Sequence, residues 1–175
     1  MKKHFRLKKS LFSSMLSLEN IHLMKKTIVH LFIILFFGAL SFSCKKEIRS
    51  SIPSSEVYIE TSPSEYAKLR SPNNAVSYIY TPGVPSPASF KYGYGGVLIY
   101  RDLESRIRSC DLACPVEASR TVRVEVNMPF AVCPVCNSKF DLSYGLASPV
   151  AGQAKETLYI YTHVYERANS IVVSN

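Results

Sequence analysis

The chain has 175 residues, 47% of them hydrophobic, and a formal net charge of +8. Seven of its 21 basic residues precede Cys44 against a single acidic one, so the remainder holds 14 basic and 12 acidic groups, or +2. The high charge therefore belongs to the leader, and it gives no ground for a nucleic-acid partner. About 130 residues after Cys44 suffice for one domain with one core.

In chain order, residues 1–23 show no core pattern, and a second Met-Lys-Lys begins at Met24. A signal counted from Met24 has ordinary proportions, so 1–23 reads as an extension ahead of the true start. Residues 24–43 read as a secretory signal: a basic head at Lys25 and Lys26, an apolar run from Thr27 to Leu40, then Ser41-Phe42-Ser43. The run of about fourteen residues is short of the ~20 that cross a bilayer. Ser43-Cys44 looks like a bacterial lipobox, which implies lipidation of Cys44. The expectation is a cell-envelope protein held to a membrane by that lipid. Residues 44–55 would form the lipidated cysteine and a polar, disordered tether.

From Glu56 onward the pattern is of short strands. Candidates are Val57 to Glu60, Ala75 to Tyr80, Gly96 to Tyr100, Thr121 to Val126, Leu158 to Val164 and Ile171 to Val173. Val122, Val124 and Val126 share one face of theirs. Ser64 to Arg70 suggests a turn or two of helix. Many short strands between turn residues predict an all-β fold over 56–175, an antiparallel sandwich or barrel.

Four cysteines fall in two short loops, Cys110-Asp-Leu-Ala-Cys114-Pro-Val116 and Cys133-Pro-Val-Cys136-Asn-Ser-Lys-Phe140. Two such loops suggest a metal or cluster site between turns. Beyond the leader His163 is the one histidine, so a site needing two imidazoles is excluded.

The loops resemble those of Rieske iron–sulfur domains, small all-β folds that grip a 2Fe–2S cluster between a Cys-x-His and a Cys-x-x-His loop. Cys114-Pro115-Val116 matches the first frame, and Cys133-Pro134-Val135-Cys136 the second. Asn137 to Asp141, Gly145, Gly152 and Gly93-Tyr-Gly-Gly-Val97 match the surroundings. The resemblance covers roughly residues 54–175 and is strongest to Rieske-like lipoproteins of Bacteroidetes-type bacteria. It implies a Rieske-like sandwich, yet Val116 and Cys136 stand where the two histidines should be. By position Cys114 and Cys133 keep one iron's ligands, Cys136 serves the other, and Cys110 is the nearest replacement for what Val116 lost.

Three chemistries follow for Cys110, Cys114, Cys133 and Cys136: disulfides or a vestigial site without metal, a 2Fe–2S cluster with thiolate ligands only, or tetrahedral zinc. In the Rieske frame Ser138 would donate a hydrogen bond to a cluster sulfur. The leading expectation is a non-catalytic domain with a structural or interaction role. The runner-up is an electron-transfer protein passing electrons between envelope partners.

Cys133-Pro-Val-Cys136 also resembles a thiol–disulfide exchange motif, but no helix pattern follows it. On a strand His163 would share an outer face with Tyr159, Tyr161 and Tyr165, turning Leu158, Ile160 and Val164 inward. Gly93, Gly95 and Gly96 lack the Lys-Ser/Thr of a phosphate loop and suggest a tight strand entry. Arg101, Arg106 and Arg108 among Asp102, Glu104 and Asp111 read as a solvated, charge-balanced segment. No Ser-His-Asp set and no nucleotide motif is present, so no catalytic residue is assigned.

Overall fold

The computed structural model describes Lys26 and residues 50–175; Cys44, the apolar run and the rest of 1–49 lie outside the described residues. The described residues from Ser50 to Asn175 belong to one compact unit. It is an all-β fold of eleven strands and one short helix: β1 (Val57–Glu60), α1 (Pro63–Lys68), β2 (Asn74–Tyr78), β3 (Lys91–Tyr92), β4 (Val97–Arg101), β5 (Ile107–Asp111), β6 (Glu125–Asn127), β7 (Phe130–Val132), β8 (Lys139–Asp141), β9 (Ser148–Ala151), β10 (His163–Glu166) and β11 (Ile171–Ser174). They pair antiparallel in three sheets, ordered β10-β11-β1-β3, β2-β4-β5 and β6-β7-β8-β9. Among the described residues no helix is long and apolar enough to cross a membrane.

Strand β4 explains the architecture. All five of its residues are buried, because it lies between β2 and β5 and its two faces serve two cores. Leu98 and Tyr100 join a core with Cys110, Cys114, Cys133, Phe140 and Leu158. Val97 and Ile99 join another with Val57, Ile59, Tyr161 and Val173. Side chains alternate across a strand, so an unbroken apolar run is what a strand between two cores needs. The first core backs onto both cysteine loops.

Helix α1 is set by local chemistry. Pro63 starts it, and Ser62 and Glu65 form a reciprocal capping box. Ser62→Ala is expected to cost about 1 kcal/mol, read as a lower urea midpoint at unchanged slope; an unmoved midpoint would remove the cap from this account.

Four expectations need correction. The tether does not run free to Ser55: Ile52 is buried, and Ser51 donates from its N–H and hydroxyl to Glu156 at 2.6 and 3.0 Å. One apolar residue with a local polar anchor is enough to lay this stretch on the domain. The strand over Thr121 to Val126 is mostly irregular, with β6 beginning at Glu125, although Val122, Val124 and Val126 do share the core face.

The strand over Leu158 to Val164 is divided. Ile160 bridges Cys110 beside β5, whereas His163 to Glu166 pairs with β11. The change of partner rotates the chain between them, so Tyr161 turns inward and Ile160 outward, opposite to simple alternation.

The charged stretch 101–111 is not a solvated segment. It is the β4–β5 hairpin, with Arg101, Asp102 and Asp111 buried. Asp102 accepts from the Arg106 N–H at 2.8 Å and Arg108 Nε at 3.0 Å. Arg101 donates to the Leu69 and Ser105 carbonyls and to Glu166. Buried charges are tolerated when so fully partnered.

Candidate metal centre

The two loops share one backbone device. The Cys114 carbonyl accepts from the Ala118 N–H at 2.9 Å, and the Cys133 carbonyl from the Asn137 N–H at 3.0 Å. Ala118 and Asn137 both take left-handed conformations, φ 44° and 55°, which close a turn over five residues. By this equivalence the counterpart of Cys136 in the first loop is Glu117, one residue beyond Val116.

The turns bring three thiols together. The sulfurs of Cys114, Cys133 and Cys136 lie within 4.8 Å of one another, and the Cys114 and Cys136 sulfurs are 3.6 Å apart. No disulfide joins any of the four described cysteines. A tetrahedral ion with metal–sulfur bonds of about 2.3 Å places its sulfurs roughly 3.8 Å apart, so the group has room for one ion. Cys114 and Cys133 are buried, and Cys136 is half-buried.

Hydrogen-bond donors are aimed at two of these sulfurs. The Val116 and Glu117 N–H groups bond Cys114, and the Ser138 N–H bonds Cys136. Ser138 is fully buried. Its Oγ accepts the Gln153 and Ala154 N–H at 3.1 and 3.0 Å and lies 3.1 Å from Cys136 Sγ. With both lone pairs taken, the hydroxyl proton is left for the sulfur. Burial works against a thiolate at Cys136, but the two Ser138 bonds, with those to the Cys133 and Cys114 sulfurs, together outweigh it and the thiol falls below its ordinary range. At Cys114 burial prevails over the two N–H bonds and pushes the thiol up to about 12.

Cys110 does not join this group. It lies on β5 opposite Leu98, fully buried in the first core. Burial, with the Asp111 charge behind it, raises its thiol. Its sulfur is not among the three that lie within 4.8 Å of one another. Val116 is exposed at the tip of the first loop, and His163 is exposed on β10. Three thiols are thus one ligand short of the four that a two-iron cluster takes, and neither imidazole of a Rieske centre has a counterpart. The set fits one ion better than 2Fe–2S.

Beside the loops lies a cavity of about 230 Å³ lined by Pro115, Val116, Gln153, Lys155 and Glu156.

Sequence reasoning missed the residue that positions the first loop. Asp111, fully buried, accepts from the N–H groups of Tyr94 at 2.8 Å, Gly95 at 2.9 Å and Ala113 at 2.7 Å, and from the Tyr161 hydroxyl at 2.7 Å. Ala113 immediately precedes Cys114, so this carboxylate ties the loop to the glycine turn. Here lies the need for glycine. A Cβ at Gly95 would sit 2.7 Å from Ala113 Cβ, and one at Gly93 2.0 Å from the Tyr161 oxygen. Burial, reinforced by the Asp111 charge, raises the Tyr161 hydroxyl well above its usual range, which keeps it a donor. A carboxylate in a run of alternating charges has no sequence mark of this role; three of its four partners lie 16 to 50 residues away.

No protein-family model matches the chain, and no curated protein matches it. Among solved structures it is similar to the quaternary ammonium Rieske monooxygenase CntA in complex with an inhibitor, at 15% sequence identity and a TM-score of 0.45. The similarity covers 68% of this chain and 31% of that one, so the chain spans less than a third of the monooxygenase's length.

Proposed function

We propose that the chain is a lipid-anchored bacterial cell-envelope protein whose Rieske-like domain holds a single soft metal ion, of the zinc class, on Cys114, Cys133 and Cys136. Its role is structural or interactive rather than catalytic. One observation carries the reading: three sulfurs within 4.8 Å of one another, on two turns of the same geometry. Thiolates favour soft or borderline ions such as zinc, and the donors from Val116, Glu117 and Ser138 would offset their charge. The paired Cys-Pro loops support the Rieske-like assignment, and Val116 with Cys136 explains the change of metal. The basic head, short apolar run and Cys44 support the anchor.

Metal content of anaerobically purified mature protein tests this. One zinc per chain and a colourless solution are expected. Two irons with visible charge-transfer absorption would establish a cluster instead. Protein without metal that also fails to take up added zinc would leave the domain's role to its surface alone.

A further inference from the structure

We propose that the groove between Leu146 and Ile160 docks on the surface of the membrane that holds the lipid anchor, so that the domain lies against the bilayer on one defined face. The inference rests on the lipid-anchor reading above and adds to it a second contact made by the folded domain.

The groove is built on the first core. Leu158 donates its N–H to the Ala147 carbonyl at 3.1 Å, which lays two segments side by side. Ala147 and Leu158 both turn into that core. Leu146 and Ile160 are left outside, and with Tyr159 and Ser50 they line a groove of about 610 Å³. Leu146 is 65% exposed, the most of any large apolar side chain among the described residues, and Ile160 is 36% exposed.

Chain length selects a membrane surface as the occupant. Ser50 itself lines the groove. Six steps of chain lead back from it to Cys44, which span at most about 20 Å. A compact domain over residues 50–175 has a radius of gyration of roughly 14 Å and is roughly 35 Å across, wider than the tether is long. The lipid is therefore confined to the side on which the groove opens. Side-chain chemistry agrees, because Leu and Ile beside a Tyr suit the boundary between headgroups and acyl chains. So does charge. Lys45, Lys46 and Arg49 against Glu47 give the tether +2. Next to Glu156 on the groove wall, Lys155 is exposed and belongs to no ion pair among the described residues, while Glu156 accepts from Ser51. Anionic headgroups attract such cations. A contact this small suffices, since the anchor makes docking an intramolecular event at high effective concentration. Glu156 also lines the cavity beside the cysteine loops, so docking fixes how the thiol site stands relative to the bilayer.

The chain contains no tryptophan, so one introduced on the exposed surface reports its own surroundings. The test places lipidated Leu146→Trp protein in vesicles of phosphatidylcholine and phosphatidylglycerol. Its emission is expected to shift to the blue and to lose most of its intensity when the acyl chains are brominated. Val84→Trp, at a position 59% exposed between β2 and β3 and outside the groove, is expected to stay red and unquenched. Lys155→Glu in the Leu146→Trp background is expected to reduce the quenching. Leu146→Trp that floats with the vesicles yet stays red overturns the docking face and leaves the anchor standing. Equal quenching at both positions overturns the defined orientation. Blue emission already present in unlipidated Cys44→Ser protein without vesicles assigns the groove to the tether or a second copy, and overturns the inference. Protein that carries no lipid and does not float with vesicles overturns both readings together.

Discussion

Cys133→Ser is expected to strip the domain of its metal. Zinc affinity should fall by roughly 300- to 8,000-fold, because structural zinc sites draw roughly 10–16 kcal/mol from their ligands jointly and this change removes one of three. Competition against a chelator of known affinity measures it. The informative companion is Cys110→Ser. Cys110 lies in the first core and is not among the three sulfurs that converge within 4.8 Å, so this variant should bind zinc as the parent does. Its stability should drop by about 1–3 kcal/mol, the cost of burying a hydroxyl in an apolar setting. If Cys110→Ser loses metal while Cys133→Ser keeps it, the assignment of ligands is wrong.

Asp111→Asn is expected to be among the most damaging single changes in the fold. The carboxylate receives four donors and forms no ion pair among the described residues. An amide of the same shape keeps one acceptor oxygen and turns a second donor group toward donors. Two charge-assisted bonds are lost and buried N–H groups are left unpaired, about 3–5 kcal/mol in total. For a domain of this size that lowers the melting temperature by roughly 10–15 °C. The first cysteine loop should loosen with it, since Ala113 is one of the donors; weaker zinc retention at temperatures below melting reads that coupling. A loss under about 1 kcal/mol would show that the glycine turn and the loop are held by something else.

The places where sequence and structure part are instructive. Val57–Glu60 was legible because its burial alternates on a two-residue period, and Val97–Arg101 because its β-branched and aromatic run is buried throughout. The short strands β7 and β9 were not, since three or four residues around turns carry too little periodicity. Tyr161 defeated simple alternation because its chain leaves one sheet for another within a few residues. Asp102 and Asp111 were misread for a different reason: a charge run looks the same whether water or distant N–H groups satisfy it.

By itself the sequence determined that the domain is built of short strands, that four of its cysteines fall in two short Cys-Pro loops, and that a site needing two imidazoles is excluded, His163 being the one histidine past Cys44. These are properties of residue type and local spacing. Which thiols meet was decided by tertiary structure alone. Spacing made Cys110 and Cys114 equal candidates, but β5 commits Cys110 to the core opposite Leu98, while two matching turns swing Cys114, Cys133 and Cys136 together. Convergence of side chains from loops 19 residues apart depends on how the sheets pack beneath them, and that packing is set by long-range contacts that no local pattern encodes.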